Sequence, residues 1–381
     1  MPDNPTDSPL KLLLKPLSKA EIAFDRWRFE RRVRKGKLGE VMIFPYRGYG
    51  NQQDINIMGR VLEHNGLAKP HPEDSTWTNI RAMVRRYLSR EIPNVYLKAV
   101  FQGEQRIIKA NDEGYFHLQM PYQRPVDPQQ LWHEIRFTLI DRLIPEQNSI
   151  SARGKILIPD HKSEYGVISD IDDTILISKT THRIEIFRMA LVHNATTRLA
   201  FKGVAAFYQA LQKGSDGQRH NPVFYVSSSP WNMYDMLEDF FRINGLPKGP
   251  ILLRDIGMTA SRFIKGKHSR HKLEKIRRIM AYNPNLSFIL IGDSGQHDPE
   301  IYRQVTEEFP GRVKAIYIRD VTSQERKAVV QQIAREVEQQ GIDFVIKSQT
   351  SEAVDHAEAS GYILPGSRKK VSRELSSETR P

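Results

Sequence analysis

The stretch YGVISDIDDTILIS, residues 165–178, starts as an apolar run of strand length and ends by placing Asp170, Asp172 and Asp173 within four positions, directly before Thr174. Like charges that close repel one another. Their spacing therefore calls for a cation, or for chemistry that needs them. A strand followed at once by acids also puts them where open parallel sheets bind ligands, beyond the carboxyl ends of the strands.

The same texture continues downstream. After about residue 160 the pattern becomes strand, helix, strand, with strands expected near 166–169, 222–226, 251–253, 287–291, 313–318 and 343–346. That alternation predicts an α/β fold, a doubly wound parallel sheet with helices on both faces. Polar groups recur just past these strands. VFYV leads into Ser227, Ser228 and Ser229; FILIG leads into Asp293 and, five positions on, Asp298; Lys272 opens the helix before that strand. Carboxylates gathered on one sheet edge need a cation among them, and hard oxygen ligands favour Mg²⁺ over softer transition metals. The metal and Lys272 together can then hold a phosphoryl group.

Competing motifs fit the residues less well. A calcium loop of the EF-hand type wants Gly at its sixth position, where counting from Asp170 gives Ile175. A P-loop around Gly266-Lys267 has Ser261 in place of the earlier Gly and His268 in place of the final Ser or Thr. A receiver domain distributes its paired acids and its phosphorylated Asp over different strands, whereas D-x-D-x-T at 170–174 follows a single strand. Ordinary caps and turns would explain any one of these groups, but not all four in order at strand ends.

Four motifs in that order, D-x-D-x-T at 170–174, the strand-ending Ser227, the helix-starting Lys272 and G-D-x-x-x-x-D at 292–298, resemble those of the haloacid dehalogenase superfamily of phosphohydrolases. More narrowly, SDIDDTI, FYVSSSPWNMYDMLEDFF, HKLEKI and IGDSGQHDPEIY resemble the phosphatidate phosphatase catalytic domain of the actin-patch-protein type, over about residues 160–350. The resemblance implies a haloacid dehalogenase-like Rossmannoid fold and a phosphoric monoester hydrolase that uses Mg²⁺. It implies Asp170 as nucleophile, Asp172 as general acid and base, Ser227 and Lys272 as phosphate holders with Thr174 and Ser228 beside them, and Asp293 as metal ligand. The metal set is then Asp170, Asp172 through its carbonyl, Asp293 and Asp298, the last more suited to orienting Lys272 or a metal-bound water than to binding the ion. Asp173 receives no chemistry.

The first 150 residues read differently. NVYLKAVFQGEQRIIKANDEGYFHLQM (94–120) alternates apolar and polar residues, with turn signals at Gln102-Gly103 and Asn111–Gly114, the period of half-buried antiparallel strands. We expect a β-rich, sandwich-like domain over 41–155, which resembles the β-rich region that precedes the catalytic domain in members of that family. A helix is expected over 76–91, a basic helical segment over 1–40, the phosphatase domain over 160–362 and a disordered tail over 366–381.

Composition bounds the partners. A chain of 381 residues with 39% hydrophobic and 27% charged content folds as a globular protein of about two domains. The absence of cysteine excludes a thiolate nucleophile and a Cys-ligated metal. Neither a membrane-length apolar segment nor a secretory leader is visible, so a cytoplasmic protein is expected, peripheral on the inner membrane face where it meets lipid. The net charge of +12 points to an anionic partner. RWRFERRVRKGK (26–37) is read either as a solvated helix face or as a membrane or nucleic-acid patch, and 178–202 either as core or as a basic lid against lipid. Trp231 is read as core, or as an apolar wall near the site. Phosphatidate or a related anionic phospholipid is the expected substrate and nucleic acid an unlikely partner; a soluble or nucleic-acid phosphomonoester is the alternative, and a silent membrane-binding module is disfavoured because every chemical group is present.

Overall fold

The computed structural model describes residues 19–64, 90–144, 147–171, 174–175, 202–217, 221–254, 268–321, 324–369 and 371. Helix α1 (Lys19–Arg34) leads into nine strands: β1 (Glu40–Pro45), β2 (Gly48–Gly50), β3 (Asp54–His64), β4 (Arg90–Glu91), β5 (Tyr96–Phe101), β6 (Glu104–Lys109), β7 (Tyr115–Pro121), β8 (Trp132–Leu139) and β9 (Ser151–Leu157). The expected alternation is present. In β5, β7 and β8 every second residue is buried. The β5–β6 hairpin turns through Gln102 and Gly103, both at positive φ, as a two-residue loop between twisted strands requires.

These strands form one mixed sheet, in the order β1-β3-β2-β9-β8-β5-β6 with β4 and β7 also on β3. In place of two separate facing sheets, short β2 joins the halves, antiparallel to β3 and parallel to β9. Period-two alternation marks an inner and an outer face but not where a sheet is continuous, so the sequence could not separate these two arrangements. The inner faces enclose one core around Ile57, Phe101, Phe116 and Phe137. Arg90 and Glu91, expected at the end of a helix over 76–91, instead pair as β4 with Glu63 and Leu62; the rest of that segment, 65–89, lies outside the described residues.

The second unit runs β10 (Gly166–Asp170), α2 (Lys202–Lys213), β11 (Val223–Pro230), α3 (Tyr234–Ile243), β12 (Ile251–Arg254), α4 (His268–Tyr282), β13 (Phe288–Asp293), α5 (Asp298–Glu308), β14 (Val313–Arg319), α6 (Gln324–Glu338), β15 (Asp343–Lys347) and α7 (Thr350–Ala359). All six strands expected from sequence are present and pair in parallel, in the order β12-β11-β10-β13-β14-β15. Their apolar runs are continuous because both faces are covered. Val167, Tyr225 and Ile289 face residues of α2, α3 and α7; Ile168, Phe224 and Leu290 face residues of α4, α5 and α6. Burying each such side chain is worth about 1.5–3 kcal/mol.

Strand order steps one way from β10 to β12 and the other way from β13 to β15, so the order reverses between β10 and β13. That reversal opens a crevice at their carboxyl ends. The expected tail is partly built in: Gly366 and Arg368 donate backbone N–H groups to Glu358, and Val371 is buried beside α7. Residues 370 and 372–381 lie outside the described residues, as does 178–201 of the expected lid.

The two units share a seam made by Tyr46-Arg47-Gly48-Tyr49. Tyr46 enters the core on the α3 side, stacking on Trp231 with parallel rings 5.4 Å apart and on Tyr234 at 3.9 Å. Tyr49 enters the opposite core, edge-on to Phe224 and Tyr282. Gly48 is required there, since a Cβ would fall 2.5 Å from the carbonyl oxygen of Asn56.

Candidate active site

Asp170 ends β10 and Asp293 ends the neighbouring β13, so the crevice is lined with carboxylates by the strand order alone. Asp298, first residue of α5, returns to the same point. One oxygen from each of Asp170, Asp293 and Asp298 lies within 4.8 Å of the others, and all three residues are buried. Gly292 permits this approach: a Cβ there would fall 2.5 Å from Asp298 Oδ2.

Lys272 reaches into the cluster from α4, in its second turn. Its Nζ is 2.7 Å from Asp170 Oδ1 and also pairs with Asp298 Oδ1, and the residue is only 4% exposed. Burial opposes its charge, but the carboxylates of Asp170 and Asp298 outweigh that and hold the ammonium well above the usual lysine value. Lys272 is therefore a permanent cation at neutral pH.

Each carboxylate has a distinct set of partners. Asp170 accepts from Lys272 at Oδ1 and, more loosely, from the Thr174 hydroxyl at Oδ2, 3.4 Å away. Asp293 Oδ1 accepts from the backbone N–H groups of Gly295 and Gln296, at 2.7 and 2.8 Å, which fixes the loop after β13. Asp298 is held at both ends, by Lys272 on Oδ1 and by the Asp293 N–H on Oδ2 at 3.2 Å. Asp298 thus orients Lys272 and braces Asp293.

Ser227 is placed one residue past Val226, the register partner of Asp170, and is buried. Its hydroxyl accepts the Ser229 N–H at 2.9 Å, bending the strand end into a turn; Ser228 and Ser229 are half-buried. Asp172 and Asp173 lie outside the described residues. The structure therefore gathers Asp170, Thr174, Lys272, Asp293 and Asp298, with Ser227 and Ser228 on the adjacent strand end. The donor set fits a hard divalent cation: it is all oxygen, buried, and supplies three carboxylates against the single ammonium of Lys272.

Several residues around this centre carried no sequence signal. Arg319 pairs in register with Asp293 and donates to the Thr174 carbonyl at 3.4 Å. Arg326 clasps the loop after β13, donating to the carbonyls of Ser294 at 3.1 Å and Gln296 at 2.6 Å while paired with Glu300. From the β-rich unit, the Arg47 N–H donates to the Tyr234 hydroxyl at 2.7 Å and its guanidinium pairs with Glu238 at 2.6 Å. Trp231 proves to be stacked in that seam.

Residues 165–320 match the family described as phosphatidate phosphatase APP1, catalytic domain. This segment is a domain of that family. It spans β10 through β14 and holds every residue of the gathered site. Over 245 residues the chain is 29% identical to a Saccharomyces cerevisiae protein named phosphatidate phosphatase APP1, covering 62% of this chain and 40% of that one. It is 31% identical over 169 residues to an uncharacterised protein of Schizosaccharomyces pombe, covering 42% of this chain and 26% of that one. The chain thus spans less than half the length of either relative. Among solved structures, a carbohydrate acetylesterase from Xanthomonas citri aligns over 75% of this chain and 71% of its own at 13% identity and a TM-score of 0.25, too slight to bear on the fold.

Proposed function

We propose that the APP1-type domain is a Mg²⁺-dependent phosphatidate phosphatase with a doubly wound, haloacid dehalogenase-like fold, working peripherally on a cytoplasmic membrane face. The observation that carries this reading is the buried Asp170–Lys272–Asp298 arrangement beside Asp293, at the crevice where the strand order reverses, inside the segment that matches the family.

Asp170 would attack phosphorus in line, forming an acyl-phosphate bond as the bond from phosphorus to the glycerol oxygen breaks. Asp172 would protonate that oxygen, then take a proton from the water that attacks the aspartyl-phosphate and releases inorganic phosphate. Lys272 offsets the charge on nucleophile and phosphate, and the Ser227 hydroxyl, with Ser228 and Thr174 nearby, donates to phosphoryl oxygens. Asp170, Asp293 and the Asp172 carbonyl would hold Mg²⁺, which lowers the repulsion between an anionic nucleophile and an anionic substrate. Asp298 acts through Lys272.

The test is phosphate release from phosphatidate in mixed micelles, compared with a panel of soluble and nucleic-acid phosphomonoesters. Preference for phosphatidate, abolished in Asp170→Asn, is the expected result. Turnover confined to a soluble or nucleic-acid ester would replace the substrate, and no turnover of any ester would remove the enzymatic reading.

A further inference from the structure

Four adjacent strands, β9, β8, β5 and β6, turn one face to the core and the other outward. Register gives the outer rows directly. Lys109 lies opposite Tyr96; Ile107 opposite Lys98; Arg136 directly opposite Arg153; and Glu134 opposite Lys155. At the Trp132–Leu157 end this outer face is covered by the α/β unit. Away from that end it is open.

The open part is basic and apolar together. Lys98, Lys109, Arg136, Arg153 and Lys155 are all exposed, and Glu134 is shared between Arg153 and Lys155, at 3.3 and 3.5 Å. Neither Lys98 nor Arg136 has an acidic partner among the described residues. Ile107 is 65% exposed and Tyr96 43%, with Lys109 lying 5.5 Å over the Tyr96 ring.

A merely solvated sheet face accounts poorly for this pattern. Lysines on β6, an edge strand, discourage strand-to-strand aggregation, which explains Lys109. Arg136 faces Arg153 across the interior strands β8 and β9, and Glu134, already shared by Arg153 and Lys155, leaves that face with an excess of like charge that an external anion would offset. An isoleucine left open on an edge strand adds a sticky site unless something covers it. A partner that brings both anions and apolar cover would meet the two features on one sheet face.

We propose that the outer face of β6-β5-β8-β9 docks the protein on an anionic phospholipid bilayer. The cations meet headgroups while Tyr96 and Ile107 sit at the boundary with the acyl chains, where aromatic and aliphatic side chains gain most. A nucleic acid would use the same cations but gain nothing from Ile107, which decides between the two. The inference concerns binding and stands on the sheet alone, so it can be tested whether or not phosphatidate is the substrate.

The experiment is co-sedimentation of the full chain with phosphatidylcholine vesicles with and without phosphatidylserine, at low and physiological salt. Binding is expected only with phosphatidylserine and should weaken with salt. Replacing Lys98, Arg136 and Arg153 with Ser should weaken it by about 100-fold, at about 1 kcal/mol per surface cation. Ile107→Ser should weaken binding without altering its salt dependence. All four positions are exposed, so melting temperature should not fall and hydrolysis of a soluble phosphomonoester should stay at the wild-type level. Unchanged vesicle binding in the triple variant would overturn the proposal, the more clearly if Ser at Arg26, Arg28 and Arg31 of α1 abolished it. So would a wild-type protein that ignores these vesicles, or one that binds duplex DNA more tightly through the same residues.

Discussion

Lys272 Nζ lies 2.7 Å from Asp170 Oδ1 in a pocket where both side chains are buried, so the nucleophile of the proposed reaction is already half of an ion pair. Breaking a buried pair by removing one partner leaves a charge stranded.

The two halves of that pair should behave oppositely when mutated. Lys272→Met leaves Asp170, Asp293 and Asp298 with no ammonium among them and should cost about 3–5 kcal/mol of stability. Asp170→Asn still leaves Lys272 its contact with Asp298 while removing one of three crowded negative charges. It should unfold within about 1 kcal/mol of wild type while losing more than about 8 kcal/mol of transition-state stabilisation. Urea unfolding and phosphate release, measured on both variants, check the asymmetry. Equal destabilisation, or near-wild-type turnover in Asp170→Asn, would contradict it.

Divalent cation should bind without substrate. With three carboxylates around one lysine, Mg²⁺ at about 100 times its dissociation constant should add about 2.7 kcal/mol to stability. Asp293→Asn should remove most of that gain. Ca²⁺ prefers more ligands and looser geometry, so it should also raise the melting temperature yet fail to support turnover by drawing Asp170 out of line. A melting temperature indifferent to both ions would rule out this metal site.

Why the centre was legible and its surroundings were not follows from where the signals lie. Buried parallel strands are continuous apolar runs, so β10 and β13 announce themselves, and the residue that ends each is Asp170 or Asp293. Strand order then brings the two together. Tyr46 and Arg47 carry no such local pattern: the hydrogen bond from the Arg47 N–H to Tyr234 spans 187 residues of sequence. Arg326 likewise sits on an ordinary amphipathic helix until its guanidinium is seen against Ser294 and Gln296. Val371 falls within the tail expected over 366–381 because one apolar residue among charges shows no period, and only the core beside α7 gives it a place.

Stability should fall on acidification in two steps. Burial pushes the His133 imidazole below its ordinary 6.5, so the fold favours the neutral ring. Its contribution is present above pH 6.5 and is lost as pH falls through the lowered value. For Glu63, burial alone would raise the pKa, but the Arg32 guanidinium and the Gly39 N–H outweigh it and hold the carboxyl below 4.5. That contribution is present above pH 4.5 and disappears below it. Urea midpoints between pH 7.5 and 3.5 should show both losses, the upper one diminished in His133→Gln and the lower one in Glu63→Gln. Parallel curves for all three proteins would mean other groups set the acid limit.

The seam between the units should govern the phosphate-holding loop. Tyr46 stacks on Trp231, which follows Ser227–Pro230 directly, and on Tyr234, to which the Arg47 N–H also donates. Tyr46→Phe keeps both stacks, while Tyr46→Ala removes a buried ring at a cost of about 3–5 kcal/mol. If the ring serves only packing, Tyr46→Ala should lower the melting temperature and leave kcat and KM of the folded fraction unchanged. If it also sets the turn that aims the Ser227 hydroxyl, kcat on a soluble phosphomonoester should fall at least tenfold at a temperature where the variant is fully folded, because donors aimed at developing charge tolerate little displacement. Tyr46→Phe should then restore kcat, and Glu238→Gln, which releases only the Arg47 guanidinium, should give a smaller loss. A Tyr46→Ala enzyme with wild-type kcat would confine the β-rich unit to stabilising its neighbour.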